Sequence, residues 1–309
     1  ARGLAVDPAQ RFPDMDTLLV ALADDPAQRR RRRALALLAG LVLAGGGAAG
    51  YALPAHDPAA ACETHDPLAG VWDPDTRAAV AARFASLDLP FADQAAAAAT
   101  TQLDAYAARL RDLLRTTCQA RARGLHTSRV HALQVECAER LRGELAALTH
   151  VLRDADARAA ERTSQAVARL PPVEPCSDPG RLLATAEHTP QTEDPELAAR
   201  VRAQTPRLAT ARAELDAGHH ERGRELAHEV IAEAERLDHP PLLAEALVML
   251  GNAELACGDF PASGAALLRA YTLAESGRHD RIATDAAIRL VYLHGERLHD
   301  LPRAQTWAD

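Results

Sequence analysis

The sequence predicts an all-α protein with one membrane-spanning helix near its start, and three observations support this. The composition is dominated by alanine, leucine, arginine and glutamate and is only 3% aromatic, which is typical of helices that pack through small side chains. Apolar residues recur at spacings of three and four along most of the chain. From Arg207 onward, the sequence repeats itself at an offset of 40 residues. We therefore expect a terminal helix of a larger domain, a transmembrane helix, a helical hairpin region and an α-solenoid, in that order.

Residues 1–28 have the pattern of the end of a larger domain. Asp14 can cap a helix whose apolar face is formed by Met15, Leu18, Leu19 and Leu22. The segment is too short to fold alone, because chains below about 40 residues rarely bury enough surface. The chain has no methionine at position 1 and begins within this pattern. We therefore expect a fragment that is open at its front, and also at its back, where the last repeat is cut.

Residues 29–53 are predicted to form a basic stop followed by a transmembrane helix. The run 34–53 has no Asp, Glu, Lys, Arg or His, and Arg29–Arg33 directly precede it. About 20 helical residues cross a hydrocarbon core of about 30 Å. Positive charge stays on the cytoplasmic side, so the N-terminus is expected inside and the C-terminus outside. Gly46 and Gly50 match the spacing of small residues in helix dimers, which makes a homodimer a possible state.

Two other interpretations of this apolar run fit the sequence less well. A secretory signal peptide has an apolar region of about 7 to 15 residues at the very N-terminus, whereas this run is longer and begins at Ala34. A buried core helix leaves no place for five adjacent arginines. The same arginines could bind nucleic acid, but beside an apolar span they are better explained as a cytoplasmic stop, so no nucleic-acid partner is expected.

A proline-rich linker, 54–75, and a helical region, 76–175, are predicted after the span. Leu103, Tyr106 and Leu110 form one apolar stripe, Gly124 indicates a turn, and a second long stripe follows as far as Leu152. A third helix is expected to end near Leu170, before two prolines. The region is therefore predicted to be a helical hairpin with an added helix.

Four of the five cysteines lie in or beside this region: Cys62, Cys118, Cys137 and Cys176. An even number outside the cytoplasm permits two disulfides. Cys118 and Cys137 lie on either side of the Gly124 turn, where an antiparallel hairpin is expected to bring them close, which favours Cys118–Cys137 together with Cys62–Cys176. Buried free thiols are the alternative, since cysteine is often buried in helices.

A linker with a helix, 176–206, is expected to precede the repeats, 207–309. Within the repeats, Ala211, Ala213 and Gly218 of one unit correspond to Gly251, Ala253 and Gly258 of the next. Such units bury their apolar faces only by stacking, which creates an extended concave surface. About three units are visible, and at least one more is expected to follow.

Several catalytic machineries are excluded for this chain. All 35 basic residues are arginine, so the lysine of a phosphate-binding loop, a Schiff base or a protein kinase is absent. No G-x-S-x-G elbow occurs. The 13 histidines lack zinc-site spacing and thiol partners, and surface or capping roles suit them better. We therefore predict no catalytic, cofactor-binding or metal-binding residue here.

The segment ARGLAVDPAQRFPDMDTLLVAL resembles the C-terminal end of bacterial, eukaryotic-like serine/threonine protein kinase domains. The residues that match are Asp7, Pro8, Arg11, Phe12, Met15 and Leu18. It implies that Arg11 pairs with the glutamate of the family's activation-segment "APE" motif, a role that suits a planar, always-charged side chain. It also implies ATP and magnesium as cofactors of a kinase domain whose catalytic residues are missing from this chain.

The repeats resemble the tetratricopeptide repeat, with Leu250, Gly251 and Gly258 on its motif. In members of that family that clamp a peptide carboxylate, an asparagine follows the motif glycine, as Asn252 does here. Arg212 holds the same position one unit earlier, but the family's lysines are absent. The resemblance implies peptide binding through Arg212 and Asn252, with a general protein-interaction surface or simple spacing as alternatives.

Together these features predict a fragment of a single-pass, membrane-anchored serine/threonine kinase for signal transduction. The repeats are expected to bind a protein or peptide outside the cytoplasm. A membrane-tethered scaffold without kinase activity is the main alternative. A soluble repeat regulator is the third, although no DNA-binding motif is visible.

Overall fold

The computed structural model describes residues 60–63, 66–188 and 194–308, together with Asp7, 13–17 and Leu19 near the start. It divides into two compact units, Ala1–Asp57 and Pro58–Asp309. In the first unit, the Asp14 carboxylate accepts a hydrogen bond of 2.7 Å from the Thr17 backbone N–H, which confirms the predicted cap. The predicted span, 34–53, lies outside the described residues. Among the helices that are described, none is both long and apolar enough to cross a membrane.

The second unit confirms the predicted all-α class for the residues that the structure describes, since they contain no strand. Short 3-10 turns occur at Ala60–Glu63 and Glu174–Ser177, and a π turn at Leu293–Arg297. The α-helices are α1 (Pro74–Ala85), α2 (Ala92–Ala122), α3 (Ser128–Arg153), α4 (Ala157–Ala168), α5 (Pro179–His188), α6 (Pro195–Arg202), α7 (Thr205–Ala217), α8 (His220–Arg236), α9 (Pro240–Cys257), α10 (Phe260–Ser276), α11 (Asp280–Tyr292) and α12 (Leu301–Ala308).

Helices α1 to α4 pack around one core, which we call the helical region. Apolar residues at spacings of three and four place Leu103, Leu110, Leu141 and Leu145 inside it, all at most 1% exposed. The predicted hairpin is confirmed as α2 and α3, and the turn between them contains Gly124 with a φ of +66°. The predicted third helix is confirmed as α4, which packs against α2 and ends before the two prolines.

The predicted boundary between linker and helical region was wrong. Leu68 and Trp72 fall in the segment 54–75 that we expected to be a linker, yet both are fully buried in the core of the helical region. The Trp72 indole N–H donates to Asp104 on α2 at 2.7 Å. Prolines indicated a break in helix here, but a non-helical segment can still bury a large aromatic side chain when its polar atom finds a partner.

Two disulfides cross-link the helical region, and the pairing that we preferred was wrong. Cys62 bonds to Cys118, and Cys137 bonds to Cys176. Cys118 lies six residues before Gly124, whereas Cys137 lies thirteen residues after it. At about 1.5 Å per helical residue, that difference of seven residues offsets the two thiols by about 10 Å along the hairpin. Cys118 and Cys137 therefore each bond to a cysteine that lies outside the hairpin.

Three antiparallel helix pairs follow: α7–α8, α9–α10 and α11–α12. The two helices of each pair are joined by a turn with one left-handed residue: Gly218, Gly258 and His299. Asp238 and Arg278 have positive φ in the turns between pairs, again 40 residues apart. The repeated backbone conformation shows that the 40-residue sequence offset corresponds to one structural unit, which we call a repeat.

Small residues allow close contact inside the second repeat. A Cβ atom on Gly251 would lie 2.6 Å from Cγ of the buried Leu267, so only glycine permits this approach of α9 to α10. The Ser263 hydroxyl donates to the Gly251 carbonyl at 2.8 Å. The landmark glycine of the sequence pattern therefore marks the crossing point of the two helices.

The repeats continue directly from the helical region. Helix α7 packs against α3 and α4, and Ala209, Ala213 and Ala217 on α7 belong to the core of the helical region. The segment 176–206, predicted as a linker with a helix, holds two helices, α5 and α6. The three alanines of α7 permit its close contact with α3 and α4, because an alanine side chain keeps neighbouring helices only a short distance apart.

Candidate protein-interaction surface

The first helices of the three repeats, α7, α9 and α11, pack side by side, and α3 packs on the free side of α7. Charged side chains on these four helices interact with one another across helix boundaries. We call this row of side chains the inner charged surface. It consists of Arg140 and Glu144 on α3, Arg212 and Asp216 on α7, Glu245 on α9, and Arg281, Asp285 and Arg289 on α11.

Arg212, predicted to bind peptide, is held in an ion pair. Its guanidinium donates to the Glu144 carboxylate at 2.6 Å. The Glu144 side chain is only 11% exposed, while that of Arg212 is 40% exposed. Burial raises the pKa of Glu144, and the positive charges of Arg212 and Arg140 oppose that rise. Arg212 therefore fixes the first repeat to the helical region and presents only part of its side chain to a ligand.

Asp216 lies one helical turn further along α7 and is anchored in the same way. Arg169, which follows α4, donates to its carboxylate at 2.8 Å. Burial raises the pKa of Asp216, whereas the nearby Arg169, Arg212 and Arg289 oppose that rise. Because Arg289 on α11 is one of these charges, its guanidinium acts on Asp216 of α7 even though the intervening first helix, α9, belongs to another repeat.

The α11 side of the inner charged surface contributes two more ion pairs. Arg281 is paired with Glu245 of α9, and Arg289 pairs with Asp285 at 3.1 Å. The pKa of Arg281 is lowered, first by loss of hydration and then by repulsion from Arg140 and Arg212. Guanidinium groups from α3, α7 and α11 thus face a common space.

Asn252 lies on α9 at the position that Arg212 occupies on α7, and it is half-buried. The corresponding residue on α11 is Tyr292, which is 47% exposed. One turn before it, Ile288 is 60% exposed, whereas its equivalent Val248 on α9 is only 4% exposed. The inner face of the repeats therefore offers an amide, a phenol and an aliphatic side chain beside the charges.

Arg212 and Asn252 were predicted from the sequence as site residues, whereas Glu144, Asp216 and Arg281 were not. The sequence does contain a usable signal. Three pairs of oppositely charged residues have members four positions apart, the spacing that places two side chains on one helix face. These pairs are Arg140 and Glu144, Arg212 and Asp216, and Arg281 and Asp285. What the signal could not show was that these three faces meet.

The remaining predicted residues are not part of this surface. Asp7 is exposed and belongs to the first unit. Arg11 lies outside the described residues. The four disulfide cysteines stabilise the helical region. Within the described parts of the chain, no three His, Cys, Asp or Glu residues are placed to hold a metal ion.

No protein-family model, curated protein or solved structure matches the chain.

Proposed function

We propose that the three repeats form a protein-interaction module that binds an extended peptide segment along the inner charged surface. The observation that carries the proposal is the recurrence of a helix pair every 40 residues, with first helices that together present polar and charged side chains on one surface. Stacked repeats bind partners on such extended faces. The resemblance to tetratricopeptide repeats supports the same function.

The chemistry of the surface suits peptide recognition. Asn252 provides both an amide donor and an acceptor for a peptide backbone. Tyr292 and Ile288 supply exposed apolar area, and the arginines supply directional donors for carboxylates. The ion pairs on this surface are already formed without a ligand, so binding requires little ordering of side chains.

Selection of binding peptides from a random library, followed by affinity measurement, tests this proposal. Asn252→Ala and Tyr292→Ala should each weaken binding of a selected peptide by about tenfold, the effect of losing one or two contacts. Arg222→Gln is the matched control, since Arg222 is an exposed arginine on α8 that forms an ion pair with Glu225 of the same helix at 3.0 Å. Equal losses in all three variants would refute binding at the inner surface.

We propose further that the chain is part of a membrane-anchored serine/threonine kinase involved in signal transduction, with ATP and magnesium used by a catalytic domain that precedes it. The resemblance of 1–28 to the end of a kinase domain supports this, and so does the basic and apolar pattern of 29–53. The repeats would then lie outside the cytoplasm, where a partner could change the association of the kinase domains.

Two measurements test the membrane and kinase proposals separately. Cys257 is a free, exposed cysteine in the second unit. A membrane-impermeant maleimide should label it in intact cells, and labelling only after lysis would refute the topology. The full-length gene product should incorporate labelled phosphate from ATP and lose this activity when its catalytic aspartate is replaced. A product without that activity would leave a membrane-tethered scaffold as the function.

A further inference from the structure

His219 occupies a position where the other two repeats have a capping aspartate. Asp259 and Asp300 precede the second helices of their repeats, and their carboxylates accept hydrogen bonds from the N–H of Ala262 and Arg303, at 3.0 and 3.2 Å. This is the ordinary capping role of aspartate. His219 makes no such bond to α8. The first repeat therefore lacks a side-chain cap, and its imidazole is directed elsewhere.

Both ring nitrogens of His219 contact carboxylates from other helices. Nδ1 lies 2.6 Å from Oε2 of Glu214 on α7, and Nε2 lies 3.2 Å from Oδ1 of Asp156, the residue that caps α4. A neutral imidazole has one N–H donor and one acceptor nitrogen, so it can satisfy only one of two carboxylates. The imidazolium ion has two donors and satisfies both. The geometry alone therefore selects the protonated ring.

The surroundings keep this contact at the junction of the helical region with the first repeat. Arg158 of α4 donates to the Gly218 carbonyl at 3.3 Å. Gly218 has a φ of +93°, and a Cβ there would lie 2.8 Å from Cδ of Arg162. The turn before α8 thus rests directly on α4. The charged and titratable groups that face His219 or its turn are Asp156, Arg158 and Arg162 on α4, Glu214 on α7, and His220 and Glu221 on α8.

We propose that His219 is a pH-sensitive latch that holds the first repeat onto the helical region when it is protonated and releases the contact with Asp156 as the pH rises. The junction is otherwise fixed by two arginine–carboxylate pairs, Arg212–Glu144 and Arg169–Asp216, neither of which involves His219. Deprotonation of His219 would therefore weaken this junction without separating the first repeat from the helical region.

The direction of the pH effect follows from the electrostatics. Burial disfavours protonation of His219, but the hydrogen bonds to Glu214 and Asp156 outweigh it and raise its pKa above the usual value. A raised pKa in the folded state means that the contact stabilises fully below about pH 6.5 and is lost as the pH rises through the folded pKa. The neighbouring His220 behaves oppositely, because burial, Arg162 and Arg158 lower its pKa.

Hydrogen exchange of the full chain between pH 5.5 and 8.5, corrected for intrinsic exchange rates, tests the latch. Backbone amides at the start of α8 and α4 should open about tenfold more often at the alkaline end, the effect expected for losing one charged hydrogen bond. His219→Gln should remove this pH dependence. His228→Gln replaces an exposed histidine on α8; it is the matched control and should leave the pH dependence unchanged.

A second variant separates the latch from a purely structural role. Asp156→Asn keeps a side chain that caps α4 well but removes the negative charge that faces Nε2. It should lower the pKa of His219, read from the ring C2–H resonance that disappears in His219→Gln. A wild-type His219 that titrates at or below pH 6.5 would overturn the proposal. So would the same pH-dependent opening in wild type and His219→Gln.

Discussion

Removing the Cys137–Cys176 disulfide tests whether the helical region is cross-linked as the structure shows. The perturbation is the double variant Cys137→Ala/Cys176→Ala, compared with Cys62→Ala/Cys118→Ala. Alanine avoids placing a hydroxyl group in the core, where it would lack a partner. The two disulfides close successive, non-overlapping loops, so their contributions should be nearly additive.

The expected magnitudes follow from loop length and burial. A separation of 39 residues corresponds to about 3.9 kcal/mol of chain entropy, and a separation of 56 residues to about 4.2 kcal/mol. Cys137 and Cys176 are 7% and 1% exposed, so their removal costs about 1 kcal/mol more in lost burial. Cys118 is exposed and Cys62 is half-buried, so replacing these two cysteines costs little burial energy beyond the chain entropy. The buried pair should therefore be the more destabilising loss, at about 5 against about 4 kcal/mol, although its loop is shorter.

Urea unfolding followed by tryptophan fluorescence measures this difference. The chain has two tryptophans, Trp72 in the helical region and Trp307 on α12, so a Trp307→Phe background makes Trp72 the only reporter. Non-reducing peptide mapping of the wild type should find Cys62 linked to Cys118 and Cys137 linked to Cys176. A Cys118–Cys137 peptide, or a buried-pair variant as stable as the wild type, would refute the reasoning.

Two further predictions concern helix packing and capping in the repeats, and thermal unfolding measures both. Gly251→Ala should destabilise by about 1–2 kcal/mol because its Cβ would overlap Leu267, whereas Gly143→Ala, with nothing within 4 Å of the added Cβ, should stabilise by about 0.5–1 kcal/mol. The same sign for both glycines would contradict the packing argument. Asp259→Ala should cost about 1 kcal/mol through loss of its bond to the Ala262 N–H, and an unchanged unfolding temperature would show that the cap contributes nothing.

The extent of sequence-based prediction differed between local and long-range features. Helices α2, α3 and α4 followed from apolar spacing, and the turn at Gly124 from a residue that tolerates positive φ. The 40-residue repeat followed from small residues at recurring positions. All these signals operate within one or two helical turns, where the helix itself fixes which side chains are neighbours.

The candidate site depended on contacts that no local pattern encodes. Arg212 was predicted as a peptide-binding residue from the repeat pattern, but its partner Glu144 lies 68 positions earlier. The burial of Trp72 required an acceptor on α2, and the imidazole of His219 required a carboxylate from α4. In each case the partner was set by how two distant helices are placed against each other.

The sequence by itself determined that the second unit is helical, that its C-terminal part repeats every 40 residues, and that four cysteines belong to one region. The tertiary structure alone decided which cysteines pair, which arginine is held in an ion pair, and which histidine has two carboxylate neighbours. The physical reason is that helical periodicity specifies a face, whereas a pairing also needs the axial offset and rotation between two helices. Those quantities emerge only when all the apolar faces are buried together.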